Sequence, residues 1–224
     1  ALGALLTLGM FAVQPAAAQD IGALRDTYRI APLPADAIIA RPSSPGATLS
    51  IPGAWGASWG LFFTGAGYQQ RTRFTDSDDG AVFAGFGLRN PLETLGIEVA
   101  LTSVSTLRSG FLDRSTVSFK VHRVIGNDIG LAVGYENALE FGTDLDGGQS
   151  LYAVAGKAFV LGAPTDFFSQ ITLHLGVGDG RFRSEDDIEA GRDGFGVFGA
   201  AAVRATERVA VIADWGGQDL ALGL

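Results

Sequence analysis

Between Leu95 and Ile125 apolar and polar residues take turns with a period of two. Leu95, Ile97, Val99 and Leu101 fall on one side of an extended chain, with Gly96, Glu98, Ala100 and Thr102 on the other. After a polar break, Val117, Phe119 and Val121 repeat the apolar face against Thr116, Ser118, Lys120 and His122. Successive side chains of a strand point to opposite faces, so this pattern asks for a sheet with one apolar face and one polar or small-residue face. It recurs through most of the chain, and it suits a sheet closed on itself, with lipid outside and a polar interior.

Composition is consistent with that reading. Hydrophobic residues make up 47% of the 224 residues, yet no run reaches the roughly 18 to 20 apolar residues of a membrane-spanning helix. Barrel strands alternate, so they average to moderate hydropathy. The 32 glycines are about twice ordinary usage, and with the aromatics they resemble a barrel or sandwich more than a helical protein. A net charge of −8, with Lys120 and Lys157 as the only lysines, argues against nucleic acid as a partner. Cysteine is absent, which excludes disulfides and thiolate metal sites.

Three zones follow along the chain. Leu2 to Val13 are mostly apolar, and Ala16-Ala17-Ala18 precede Gln19, so residues 1–18 read as a signal peptide. The first residue is Ala1 and no basic stretch precedes the apolar run, so an incomplete amino-terminal end is expected. Residues 19–53 carry Pro32, Pro34, Pro42, Pro45 and Pro52 and read as a linker or periplasmic tail. Residues 54–224 are expected to form the barrel, with about ten strands present of an expected twelve. The first runs Ala54 to Gln70, with Trp55, Trp59, Leu61 and Phe63 outward. The sixth runs Gln149 to Val160, with Tyr152 and Val154 outward and Lys157 inward, and the tenth starts at Leu220. Long acidic connections (Arg71 to Asp79, Leu107 to Arg114, Leu139 to Gly148, Gly180 to Asp193) alternate with short ones. That rhythm is typical of an up-and-down outer-membrane barrel.

Two motifs invite an enzymatic reading that their context opposes. Gly56-Ala57-Ser58-Trp59-Gly60 matches G-x-S-x-G, but a nucleophile elbow needs a tight strand-to-helix turn. Gly194 to Gly199 matches G-x-G-x-x-G, but dinucleotide binding needs a helix to follow. His122 and His174 lack a neighbouring serine in a recognisable motif. No catalytic residues and no cofactor are therefore expected. Glu185, Asp186, Asp187 and Glu189 are weak candidates for a hard cation, partly neutralised by Arg181, Arg183 and Arg192.

The most functional-looking set is the polar face. Arg89, Glu98, Lys120, His122, Glu136, Lys157, His174, Arg204 and Asp214 are expected to line the lumen. Charges there must meet water or a partner. They read either as a hydrated pathway or as a neutralising network in a plugged lumen. Many other inward positions are Gly or Ala, which leaves space and favours a pore. Trp55, Tyr68, Tyr135 and Trp215 suit interfacial girdles.

Ala54–Gly60 (AWGASWG), Lys120–Arg123 (KVHR), Gly176–Phe182 (GVGDGRF) and Asp214–Gly223 (DWGGQDLALG) carry a resemblance. Over Ala54 to Leu224 the chain resembles Gram-negative outer-membrane β-barrels, more particularly uncharacterised barrels of cyanobacterial type. The resemblance brings no catalytic or ligand residues. It implies a transmembrane antiparallel β-barrel in the bacterial outer membrane, in contact with membrane lipid and lipopolysaccharide. The expected function is a passive channel or porin-like transporter of small solutes. The alternative is a structural or surface-interaction barrel with a plugged lumen.

Overall fold

The computed structural model describes residues 5–8, 48–69, 79–104, 113–126, 128–142, 148–163 and 165–224. Most of the expected signal peptide and proline-rich tail, and much of the first three long connections, lie outside the described residues. The strands are β1 (Leu5–Leu8), β2 (Phe62–Gln69), β3 (Asp79–Leu88), β4 (Gly96–Ser103), β5 (Ser115–Ile125) and β6 (Ile129–Phe141). They continue as β7 (Ser150–Val160), β8 (Gln170–Gly178), β9 (Gly196–Arg204), β10 (Ala210–Trp215) and β11 (Leu220–Gly223). Each pairs antiparallel with its neighbour in sequence, in one sheet of order β1 to β11. The fold is thus all-β and up-and-down, with ten of these strands between Phe62 and Gly223. A 3₁₀ turn (Gly180–Phe182) and one short helix, α1 (Glu185–Glu189), lie between β8 and β9.

Exposure is inverted relative to a water-soluble sheet. In β8, Gln170, Thr172, His174, Gly176 and Gly178 are buried, while Leu173, Leu175 and Val177 face out. Leu175 is 65% exposed and Asp214 only 1%. The same division runs through β6, where Ile129, Leu131, Val133 and Tyr135 are exposed and Gly130, Ala132 and Gly134 buried. In β5, Phe119 and Val121 are exposed against buried His122. The alternation read from the sequence therefore holds, with the polar face as the enclosed one.

The sheet curls around that face. Residues 48–58 cross its concave side and meet β3 at Gly87, β7 at Gly156 and β11 at Gly223. The backbones of β1 and β11 approach within 8 Å between Cα atoms, although the paired order ends at those two strands.

Three expectations need correction. Residues 54–61 do not begin the first strand: β2 starts at Phe62. Pro52 has no N–H to donate to a ladder, and Gly60 adopts φ +82°, a left-handed conformation that suits glycine and turns the chain. Beyond that turn Phe62 faces out and Phe63 packs inward towards Phe83, ring centroids 6.4 Å apart. The faces of β7 are also reversed. Tyr152, Val154 and Ala158 are buried, and Leu151, Ala153, Ala155 and Phe159 are exposed. Both faces of this strand are apolar, and a slip of one residue exchanges them. Finally, the loop rhythm is looser than expected. The antiparallel order puts connections 142–149, 179–195 and 216–219 at one end and 89–95, 126–128, 161–169 and 205–209 at the other. Connection 161–169 is no shorter than 142–149, and 216–219 is short at the long-loop end.

Candidate functional site

A segment that lies outside the sheet ladder must find other partners for its N–H and C=O groups. Residues 48–58 find them on the side chains of the concave face. Asp214, from β10, accepts from Leu49 N (2.7 Å), Ser50 N (2.9 Å) and Ser50 Oγ (2.9 Å). His174, from β8, accepts from Ala54 N through Nδ1 at 3.2 Å. That bond fixes the imidazole as the tautomer with a free Nδ1 lone pair. Lys120 Nζ, from β5, donates to Trp55 O (3.3 Å), and Glu98 Oε2, from β4, accepts from Ala57 N (2.7 Å). His122 Nε2 lies 3.1 Å from Ala57 O.

The charges on this face are matched as well as bonded. Glu98 and Lys120 are Cα partners across β4 and β5, and their side chains meet at 2.7 Å with little exposure. Burial of either charge alone would be costly, and the ion pair with its added hydrogen bonds offsets that cost. Asp214 has its carboxylate satisfied by three donors, which offset the cost of burying it.

Glycines supply the room. A Cβ on Gly130 would fall 2.7 Å from Trp55 Cε2, and one on Gly156 would fall 2.8 Å from Trp55 Cζ3 and from Ala54 Cβ. Gly87 lets β3 approach the Ala57 carbonyl. Trp55 is consequently buried, with its ring edge-on to His174 at 5.0 Å. The space that small interior residues leave is filled by rings. Trp55 is accordingly no interfacial residue, because it sits on the crossing segment and not on a strand. Tyr68, Tyr135 and Trp215 do face outward.

A second filled layer lies towards the long-loop end. Phe182, from the 3₁₀ turn, is fully buried and stacks on Phe198 at 4.3 Å, with Tyr152 edge-on to both. Arg181 anchors the turn through Glu136, by Nε at 2.5 Å and Nη2 at 2.9 Å. The Arg181 guanidinium lies 4.4 Å from the Phe182 ring centroid, and Gln218 Nε2 donates to Arg181 O.

Of the nine residues expected to line the interior, Glu98, Lys120, His122, His174 and Asp214 converge on residues 48–58. Glu136 holds the second layer, and Arg204 occupies the inward face at the foot of β9. Two do not belong. Arg89 is exposed in the β3–β4 turn at φ +66°, where its carbonyl accepts from Trp59 N. Lys157 is on the outer face of β7, because that strand's faces are reversed, and it pairs with Asp128. Sequence reasoning missed Trp55, Phe182 and Phe198 as interior fillers. Their signal was an aromatic set among glycines and alanines, in Gly53-Ala54-Trp55-Gly56 and Gly196-Val197-Phe198-Gly199.

The motif residues and acidic cluster take other roles. Within G-x-S-x-G, it is the Ala57 carbonyl that meets His122. The G-x-G-x-x-G glycines run into strand β9. Glu185, Asp186, Asp187 and Glu189 form α1, capped by Ser184, with Asp187 paired to Arg192 at 2.8 Å. Among the described residues no three His, Asp or Glu side chains gather at metal-binding range. No family model, curated protein or solved structure matches this chain.

Proposed function

We propose that this chain forms a closed β-barrel in a bacterial outer membrane, and that its own residues 48–58 occlude the lumen. The role is that of a structural or surface-interaction barrel without standing solute flow. The observation that carries this reading is the convergence of Asp214, His174, Lys120, Glu98 and His122 on one crossing segment, beneath an outer face of Leu, Val and Phe side chains. An apolar outer band asks for lipid, and backbone closed within a ladder is what lipid tolerates. The curl of the sheet around its polar face supports closure, and the apolar amino-terminal stretch supports export by a signal peptide. A passive channel for small solutes would need residues 48–58 to leave the lumen.

Cell fractionation and planar-bilayer recording of the whole protein test this reading. It expects recovery with outer-membrane lipid and lipopolysaccharide, and insertion without steady current. A steady, salt-dependent current from the unmodified chain would overturn the occluded reading in favour of the channel. Recovery from the soluble periplasm would overturn the membrane assignment.

A further inference from the structure

The bonds between the concave face and residues 48–58 share a property. All but one of those described end on main-chain N–H or C=O groups, the exception being Ser50 Oγ on Asp214. Along the segment these side chains meet N–H groups at Leu49, Ser50 and Ala54, then the Trp55 C=O and both groups of Ala57. Asp214 takes two successive N–H groups, His174 takes the Ala54 N–H, and Lys120 meets the Trp55 C=O. Glu98 and His122 then serve the N–H and C=O of Ala57. Main-chain bonding of this kind gives affinity for an extended peptide, and side-chain slots give specificity, as when a peptide adds to a sheet edge. Here one slot is evident: the indole of Trp55 lies over Gly130 and Gly156, against the edge of His174.

We propose that the lumen is a binding site for a polypeptide segment bearing one indole side chain, with residues 48–58 as its resident occupant. The inference rests on the occluded-barrel reading and adds what the lumen recognises. Because recognition is by backbone and one ring, the occupant need not be covalently joined to β2. The same segment supplied as a separate peptide takes the same place.

The test uses the whole chain with residues 48–58 replaced by a Gly-Ser sequence of equal length. It is recorded in bilayers before and after addition of a synthetic peptide of residues 48–58. The expected result is a current that the peptide blocks saturably. A peptide carrying Trp55→Ala should block with affinity lower on the order of a hundredfold, the usual cost of losing a buried tryptophan ring. A current that no concentration of peptide reduces overturns the inference while leaving the membrane barrel standing, as does equal block by the two peptides. If the replaced chain fails to fold, the Trp55→Gly chain keeps the backbone and empties the slot. Saturable binding of free indole to it in detergent, absent with the parent chain, supports the proposal, and absence of binding overturns it. Failure of the unmodified protein to enter lipid counts against the barrel reading instead, and the detergent binding experiment still decides the peptide site.

Discussion

Glu98 and Lys120 offer the sharpest test of how the interior is held. At 2.7 Å, two unit charges attract by about 6 kcal/mol at an effective dielectric constant of about 20. Desolvation of both ions takes back much of this, so the pair as a unit is worth far less than its attraction. Loss of one partner is another matter. Lys120→Met leaves Glu98 enclosed with only the Ala57 N–H, and Glu98→Gln leaves Lys120 with only the Trp55 carbonyl. Each single change should cost about 3–5 kcal/mol, and the double change should cost less than either alone. The assay is equilibrium unfolding in lipid vesicles, followed by tryptophan fluorescence for the two singles, the double and the parent. Coupling of several kcal/mol, with the double variant the more stable, is the expected outcome. Additivity within about 0.5 kcal/mol would refute the claim that the two charges are enclosed together.

Other perturbations report on other parts of the molecule. His174→Phe keeps a ring against Trp55 but leaves the Ala54 N–H without its acceptor; a cost of about 1–3 kcal/mol should appear as faster proteolysis within residues 48–58, and an unchanged cleavage rate would contradict the assigned bond. Leu175→Arg places a charge on the outer face, and should lower the stability of the lipid-inserted protein by about 2–4 kcal/mol; a change within about 0.5 kcal/mol, as expected for a water-exposed site, would refute lipid contact. The Ser184 hydroxyl, and after it Arg192, hold the Asp187 carboxyl below its ordinary value of 3.8. A carboxylate with a lowered folded pKa stabilises fully above its unfolded value and loses that contribution as pH falls through the folded one. Amide exchange in α1 should therefore stay slow down to pH 3.8 and quicken below it, and an NMR titration midpoint for Asp187 at or above 3.8 would contradict the cap.

The sequence showed strands wherever one face was polar and the other apolar. In β4, β5, β6 and β8 the alternation assigned each side chain to the correct face, because Glu98, Lys120, Gly134 and His174 are unambiguous partners for their apolar neighbours. It failed where that contrast vanished. Tyr152-Ala153-Val154-Ala155 is apolar on both faces, and only the aromatic layer of Phe182 and Phe198 decides which goes inward. Trp55 failed for a different reason: the spacing of Trp55, Trp59 and Leu61 imitates a strand. Pro52 and Gly60 bound a stretch whose hydrogen bonds go to side chains up to 120 positions away. The charged residues could be placed on the interior face from sequence, but not what they grip, since that depends on a segment read partly as a tail and partly as the first strand.

The glycines were the least legible feature, and they change meaning once the crossing segment is in place. Interior glycine first reads as room for water; at Gly130 and Gly156 it is instead room for an indole. The two readings predict opposite signs for one substitution. If the space were open, Gly130→Ala would stabilise β6 by about 0.5–1 kcal/mol, since alanine loses less backbone entropy. With Trp55 in place, the new methyl group would lie 2.7 Å from Cε2, 2.8 Å from Nε1 and 3.0 Å from the Ala54 carbonyl. Overpacking of that kind costs about 1–3 kcal/mol. In a Trp55→Ala background the ring is gone, and the same Gly130→Ala change should become neutral or stabilising. Unfolding measurements on the four chains of this cycle would show the reversal, and an equal effect of Gly130→Ala in both backgrounds would mean that the indole does not occupy the glycine-lined space.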